Sequence, residues 1–149
     1  VNMYIEQLKK LNNEIYEGEI LIKSFNIVLI NSDFDIKYKI NRELLHRDLI
    51  KSNICSSYEP TIYPGVNMKY YYNTSYNGNG VCQCKNKCNG KGLGNKDGDC
   101  KRITIAIFNS GKVIITGGNT LNQLCISYDY INSILKNKTK YMINNDKII

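Results

Sequence analysis

The stretch RITIAIFNSGKVIITG, residues 102–117, predicts two antiparallel strands joined by a tight turn. Apolar β-branched residues recur at every second position of Arg102–Phe108, and a second strand-forming run covers Lys112–Thr116. Between them lies Asn109-Ser110-Gly111, a glycine-containing turn of the kind that links hairpin strands. Since successive side chains of a strand point to opposite faces, this hairpin presents two different surfaces.

The two surfaces of the hairpin differ in character. One is wholly apolar and is expected to pack against helices; its members are Ile103, Ile105, Ile107, Val113 and Ile115. The other carries a large aromatic residue, small residues, hydroxyls and a cation: Thr104, Ala106, Phe108, Lys112, Ile114 and Thr116. A sheet face that meets only water is normally more polar, so this second face is expected to meet a partner.

Two further strands are predicted upstream of the hairpin. Glu19–Ile30 is rich in Ile, Leu, Val and Phe, and Val66–Tyr72 is rich in Val and Tyr. Pro64-Gly65 marks a turn directly before the second of these strands. The order of elements therefore indicates an antiparallel sheet whose apolar face must be covered by helices.

Three helices are predicted from apolar spacing and capping residues. The first covers Met3–Tyr16 and is ended by Gly18. The second begins after Asn41 and ends near Lys51; its buried stripe is Leu44, Leu45 and Leu49. The third begins after Asn119 or Thr120 and ends near residue 136. Its inner face is predicted to comprise Leu121, Leu124, Cys125, Tyr128, Ile131, Ile134 and Leu135.

Composition restricts the function further. The chain has 149 residues, a formal net charge of +7 and a pI near 9.0. A basic balance favours a polyanionic partner such as nucleic acid, although a lysine-rich solvated surface gives the same charge. No run of apolar residues approaches 18, and no secretory signal is present, so we expect neither a membrane span nor secretion. The abundance of Asn, Ile, Lys and Tyr is typical of an AT-rich genome, as in some parasites and many large DNA viruses.

Four cysteines cluster in a segment rich in Gly, Asn and Lys, residues 73–101, which we call the insertion. Cys82, Cys84 and Cys88 form a C-x-C-x₃-C pattern, and Cys100 follows after eleven intervening residues. Four thiolates in a short loop without its own core indicate a tetrahedral zinc site. Disulfides or free thiols remain as alternatives at this point. The two other cysteines, Cys55 and Cys125, are expected to be buried as small hydrophobic residues.

Catalysis has little support in the sequence. His46 is the only histidine and lies within a predicted helix. Neither a paired-carboxylate signature nor a phosphate-binding glycine loop is found, since no strand precedes the glycines at 90–94 and no helix follows them. We therefore expect a protein that is not an enzyme.

Three motifs resemble the second repeat of the TATA-box-binding protein family. Residues 56–65, SSYEPTIYPG, resemble the family's SSYEPELFPG, and residues 105–117, IAIFNSGKVIITG, resemble LLIFVSGKVVLTG. Residues 25–28, FNIV, resemble QNMV. The resemblance implies an α+β half-saddle over residues 19–137: a curved antiparallel sheet with helices on its convex face and the insertion as an addition. Residues 1–18 would then end a preceding repeat, and 138–149 would be a frayed polar tail.

The resemblance also implies a DNA-binding surface. Family members press the concave sheet face into the minor groove and drive aromatic wedges between base steps. Tyr63 and Phe108 match the two wedge positions, with Tyr63 departing from the usual Phe. The other positions that match are groove-facing polar and apolar residues and phosphate-binding lysines: Asn26, Val28, Lys69, Lys112, Ile114 and Thr116.

Partners follow from the same resemblance. Glu59 and Ile62 match the loop by which the family contacts the B-type general initiation factor, while Thr61 stands where a second acid is usual. The implied function is a transcription initiation factor that binds and bends A/T-rich double-stranded DNA and recruits the RNA polymerase machinery. It would act in the nucleus or, if viral, in a cytoplasmic factory or virion. Only one set of motifs is found, so a preceding repeat or a homodimer would have to complete the saddle. The alternative function is a protein-interaction module that retains the fold without bending DNA.

Overall fold

The computed structural model describes residues 3, 6–8, 10, 24, 26–76, 78–136 and 138–143. Its strands are β1 Ile30–Asp35, β2 Ser56–Ser57, β3 Val66–Tyr72, β4 Lys101–Ile107 and β5 Lys112–Gly118. Its helices are α1 Arg42–Lys51, α2 Leu121–Leu135 and α3 Lys138–Tyr141. Among these described residues, no helix is both long enough and apolar enough to cross a membrane.

The five strands form one antiparallel sheet in the order β1-β5-β4-β3-β2. The predicted hairpin is its centre, with Ile105 opposite Ile115 and Ile107 opposite Val113. β3 begins and ends at the predicted residues. The predicted fold class, a curved antiparallel sheet with helices and a cysteine-rich insertion, is confirmed.

The alternation of side chains divides the sheet as predicted. All five apolar residues assigned to the helix side are buried, together with Val66, Met68 and Tyr70 of β3. The opposite side of the sheet carries no helix of the described chain, and we call it the open face. Its members are Asn31, Asp33, Lys69, Tyr71, Arg102, Thr104, Ala106, Phe108, Lys112, Ile114 and Thr116.

The α1 helix forms as its sequence predicts. The side chain of Asn41 accepts a hydrogen bond from the backbone N–H of Leu44 at 3.0 Å, which satisfies one of the amides left free at a helix start. Leu45 and Leu49 are buried, while Leu44 is only half-buried. Each of the two buried leucines contributes about 1.5–3 kcal/mol through the apolar surface it removes from water.

The α2 helix has a different buried face from the one predicted. Leu124, Ile131 and Leu135 are buried, but Leu121, Cys125 and Tyr128 are exposed. Two polar residues are buried instead, because each has hydrogen-bond partners there. Gln123 accepts from the Asn119 backbone N–H at 2.9 Å, and Ser127 donates to the Gln123 carbonyl at 2.7 Å.

The first strand begins later than predicted. Of the predicted strand over residues 19–30, residues 24 and 26–29 are described and lie outside any strand, and β1 starts at Ile30. An edge strand with one covered face requires alternation. Ile30 and Phe34 lie on the same side of β1 and are partly covered, and Phe34 packs edge-to-face on Tyr128 with ring centroids 4.7 Å apart. The apolar residues at 27–29 are consecutive and show no alternation, which explains the error.

The predicted frayed tail is also wrong for its described part, residues 138–143. Tyr141 is buried, and its carbonyl accepts from the Asn41 backbone N–H at 2.7 Å. Lys140 pairs with Asp48 at 2.7 Å. An aromatic anchor therefore holds this segment against α1. The first predicted helix is helical at residues 3, 6–8 and 10, and the rest of it lies outside the described residues.

Candidate nucleic-acid interface and metal centre

Two aromatic rings lie side by side at one end of the open face. Tyr63 belongs to the loop before β3, and Phe108 follows β4 directly. Their ring centroids are 5.8 Å apart with the planes tilted by 58°, and Tyr63 is 38% exposed. The Phe108 backbone N–H donates to the Lys112 carbonyl at 2.9 Å, so the hairpin turn fixes its position. We call these two residues the ring pair.

Gly65 lies directly beneath the ring pair. The sequence indicated its role in a turn but not its contact with the two rings. A Cβ at this buried position would lie 3.0 Å from Cε1 of Tyr63 and 3.2 Å from Cε1 of Phe108. Both contacts are closer than ordinary van der Waals distance. The absence of a side chain at residue 65 therefore allows the two rings to approach the backbone.

The open face has a groove along β1 and β5 with a volume of about 750 Å³. Thr116 donates to the side-chain oxygen of Asn31 at 2.5 Å across the β1–β5 pair. Asn26 and Val28 lie outside the sheet and are exposed, and it is Asn31 that neighbours Thr116. The groove is lined by Asn31, Ser32, Asp33, Phe108, Ser110, Lys112, Ile114 and Thr116.

Charge is distributed unevenly over the open face. Lys69 donates to the hydroxyl of Thr104 at 2.9 Å, and burial, followed by the charge of Arg102, lowers the pKa of Lys69. Lys112 lies opposite Asp35 in the β1–β5 register. Asp33 lines the groove and is exposed. Cations therefore occupy β3, β4 and β5, while the β1 edge is acidic.

The predicted partner-binding loop is exposed next to the ring pair. Ile62 is 83% exposed, and the hydroxyl of Thr61 donates to the carboxylate of Glu59 at 2.7 Å. The Glu59 carbonyl accepts from the backbone N–H groups of Ile62 and Tyr63 at 3.0 and 2.9 Å. A compact turn thus presents Glu59 and Ile62 on the surface.

The four cysteines of the insertion come together as the sequence predicts. The sulfur atoms of Cys82, Cys84, Cys88 and Cys100 all lie within 4.8 Å of one another. The sulfur of Cys100 is 3.3 Å from that of Cys84 and 3.8 Å from that of Cys82. A tetrahedral ion bonded to sulfur at about 2.3 Å requires sulfurs about 3.8 Å apart. These four residues can therefore hold a metal ion, and none of them forms a disulfide.

Hydrogen bonds favour the thiolate form of Cys84, whereas burial raises the pKa of Cys82 and that of Cys100. The amide of Asn73 donates to the sulfur of Cys100 at 3.4 Å and approaches that of Cys84 at 3.9 Å. Burial raises the pKa of Cys84, but hydrogen bonds from Cys100 and from the backbone of Gly98 outweigh it and lower this pKa to about 7. Partners of this kind orient metal ligands and stabilise their charge.

Asp97 holds the loop that carries three of the cysteines. One carboxylate oxygen accepts from the Tyr76 hydroxyl at 2.6 Å and from the Lys85 backbone N–H at 2.9 Å, and the other accepts from the Asn86 N–H at 3.1 Å. The Tyr76 hydroxyl and the Lys85 N–H lower the pKa of Asp97. Neither Asn73 nor Asp97 was recognised from the sequence, although both lie in the insertion.

The insertion is attached to both sides of the sheet. On the helix side, Gln123 donates to the Leu93 carbonyl at 3.0 Å and Tyr130 donates to the Asn79 carbonyl at 2.7 Å. On the open face, Gly90 lies against the ring of Tyr71 and the Cβ of Arg102. The buried Gln123 thus has a role that apolar spacing alone does not reveal.

The remaining predictions for cysteine and histidine have mixed outcomes. Cys55 and Cys125 are exposed, so the prediction that they are buried is wrong. Cys55 follows α1 and lies beside the edge strand β2, and Cys125 faces away from the sheet because Gln123 and Ser127 occupy the inner face of α2. Nδ1 of His46 lies 3.0 Å from the Ser56 hydroxyl, a contact that joins α1 to β2.

Comparison with known proteins agrees with this geometry. Residues 24–138 match the family model described as transcription factor TFIID or TATA-binding protein, and the chain belongs to this family. The family consists of non-enzymatic DNA-binding factors. Over 122 residues the chain is 31% identical to a TATA-box-binding protein-like protein of Acanthamoeba polyphaga mimivirus. That match covers 79% of this chain and 28% of the viral protein, so the chain spans well under a third of its relative.

Proposed function

We propose that this chain binds A/T-rich double-stranded DNA through the minor groove, with the open face against the groove, and bends it for transcription initiation. The observation that carries this proposal is the ring pair, which lies beside a groove of β-branched, small and hydroxyl-bearing residues. An aromatic pair at the end of a sheet face is a suitable wedge for unstacking a base step, and the few kcal/mol of unstacking are offset by extra contact surface.

The middle of the open face suits an A·T minor groove. Such a groove offers acceptors only, at adenine N3 and thymine O2. Because the Asn31 oxygen already accepts from Thr116, its amide nitrogen is the group that can donate to those acceptors. Ile114, which lines the groove, offers no acceptor to the amino group that guanine adds to the minor groove. We assign the central amide to Asn31 on this basis, and a contact by Asn26 or Val28 stays a prediction.

Binding to duplexes of different composition and salt tests the proposal. We expect tighter binding to an A/T-rich duplex than to a G·C-only duplex of equal length. We also expect the affinity to fall by roughly 10³-fold or more between about 50 and 200 mM salt, as phosphate-driven binding does. Fluorescence anisotropy across a salt series measures both. Equal affinity for the two duplexes would contradict minor-groove recognition, and indifference to salt would contradict DNA binding itself.

Gly65→Ala tests the placement of the ring pair. The added methyl group would force Tyr63 or Phe108 outward, so we expect DNA affinity to fall by up to about 1–3 kcal/mol, the scale of one base–aromatic stack. Gly78→Ala is the matched control, since its Cβ would meet the Tyr70 hydroxyl at 3.0 Å, remote from the ring pair. Anisotropy titrations of both variants provide the measurement, and equal affinities would show that the ring geometry does not matter.

We further propose that Glu59 and Ile62 contact a B-type general initiation factor and that the chain thereby recruits RNA polymerase machinery. Support comes from the exposure of Ile62 and from the compact turn that presents it. We propose that the protein acts in the nucleus or, if it is viral, in a cytoplasmic viral factory or virion. We also propose that it has no enzymatic activity. A completed saddle requires a second repeat beside β1, supplied either by an upstream segment or by a second copy.

The metal proposed for the four cysteines is zinc. All four donors are sulfur atoms that lie within 4.8 Å of one another, and zinc prefers four sulfur donors in structural sites. When bound, zinc supplies a crosslink that replaces the hydrophobic core that this loop lacks. No step of DNA binding passes through the metal.

A second candidate function is a protein-interaction module that does not bend DNA. The acidic β1 edge favours it, because Asp33 lines the groove and would face phosphates of like charge. The salt series described above separates the two functions, since only the DNA-binding protein shows a steep loss of affinity with salt.

A further inference from the structure

We propose that the insertion is a second phosphate-binding surface, whose lysines contact the backbone of the same duplex beyond the groove held by the open face. This inference rests on the proposed DNA-binding function and adds to it. It concerns the stretch 85–91, which carries Lys85, Lys87 and Lys91 and no acidic residue.

The insertion continues the sheet at the start of β4. The Arg102 N–H donates to the Gly90 carbonyl at 2.8 Å, and the Gly92 N–H donates to the Cys100 carbonyl at 3.1 Å. The pairing between β4 and β5 ends at Thr104 and Thr116. Residues 90–92 pair with β4 beyond that point, where Lys91 lies opposite Lys101. The insertion is thus a lateral extension of the same surface.

Gly90 brings this extension to the open face. A Cβ here would lie 2.6 Å from the Cβ of Arg102 and 3.2 Å from the ring of Tyr71, and its φ of 73° also favours glycine. Arg102 and Tyr71 both belong to the open face. The stretch 85–91 therefore adjoins a row of cations that already includes Arg102 and Lys69.

The insertion lies far enough from the ring pair for its contact with DNA to be a separate one. The ring pair and the insertion lie at opposite ends of β4, which at about 3.4 Å per residue are roughly 20 Å apart. A duplex on the open face presents phosphates at close intervals along its whole length. Contacts at the insertion would position the duplex and strengthen binding without reading its sequence.

The charge of the metal centre supplies the competing explanation. Four thiolates and one divalent cation carry a net charge of −2, and lysines near them would stabilise that charge. Lys85, Lys87 and Lys91 are nevertheless all exposed, and none of them forms a salt bridge among the described residues, although the charge of Lys85 acts on the nearby carboxylate of Asp97. Exposed cations beside an anionic cluster remain available to phosphates, and the metal content of a variant separates the two roles.

A triple variant, Lys85→Gln, Lys87→Gln and Lys91→Gln, tests the proposal. The matched control replaces three exposed lysines distant from the insertion, Lys39, Lys51 and Lys136, by glutamine, so both proteins have the same net charge. Binding of each to a 30-base-pair A/T-rich duplex is measured across a salt series. We expect the insertion variant to lose roughly 2–3 units of the log–log salt slope, about 0.9 for each phosphate contact removed. The control should lose less than about one.

Each outcome decides between roles. If the insertion variant and the control bind alike while the wild type binds tightly, the inference is overturned and the proposed function stands. If the wild type binds no DNA, the proposed function fails and the inference with it. If the insertion variant loses its metal, the lysines serve the thiolates, which also overturns the inference. Retained metal with a reduced salt slope supports it.

Discussion

Replacing Cys100 by serine is expected to remove the metal from the protein and to unfold the insertion. Cys100 is 1% exposed, and its sulfur lies 3.3 Å from that of Cys84 and 3.8 Å from that of Cys82. Structural zinc supplies on the order of 10 kcal/mol or more of apparent folding free energy in small domains. Loss of one ligand should lower the metal content from about one equivalent to less than about a tenth. Elemental analysis of protein purified without chelators measures it.

Cys55→Ser and Cys125→Ser are the controls for this result. Both cysteines are exposed and lie outside the cluster, so each variant should retain its full metal content. Thiol titration under denaturing, non-reducing conditions should find all six cysteines reactive. Wild-type protein with almost no metal and fewer than six reactive thiols would establish disulfides in place of a metal site.

Replacing Phe108 by alanine is expected to weaken DNA binding strongly while leaving the fold nearly as stable. Phe108 belongs to the open face and contacts Tyr63, which is itself partly exposed. Loss of an intercalating ring should cost on the order of 1–3 kcal/mol of binding, the scale of base–aromatic stacking. The bend angle should fall as well, because the wedge at one base step is lost. Anisotropy titration and a DNA-bending assay measure the two effects.

Ile107→Ala provides the control for Phe108. Ile107 is adjacent in sequence but fully buried on the helix side, so its loss should cost roughly 2–5 kcal/mol of folding stability. The folded fraction of that variant should still bend DNA. Thermal melts separate the two variants: a Phe108→Ala protein that melts far earlier yet bends DNA normally would show that Phe108 is a core residue.

The hairpin and α1 could be predicted from sequence because their signals are local. In the hairpin, Ile105 and Val113 belong to runs with a two-residue period, and Gly111 marks the turn between them. In α1, Asn41 is a strong N-capping residue. Neighbouring residues alone therefore specify both elements. The clustering of the four cysteines was predictable for a related reason. Their spacing within one short loop brings the cysteines together whatever the path of the surrounding chain.

What sequence could not reveal depends on contacts between distant residues. The pairing of Asn31 with Thr116 is set by the register of β1 on β5, and the apolar residues at 27–29 concealed where that strand begins. The buried face of α2 differs from the predicted one because Gln123 lies on it. The Gln123 side chain donates a hydrogen bond to the carbonyl of Leu93 in the insertion, a residue thirty positions away. Gly65 appeared only as part of a turn until the rings above it were placed. These are tertiary effects that outweigh local periodicity.

The attachment of the insertion to both sides of the sheet has a thermodynamic consequence. One short segment carries the cysteines, touches Arg102 through Gly90 and bonds to α2 through Leu93. A ligand that orders this segment reduces the entropy that a second ligand must lose to bind it. Binding of the proposed metal would then change the affinity for DNA. By thermodynamic reciprocity, binding of the duplex would change the affinity for the metal by the same factor.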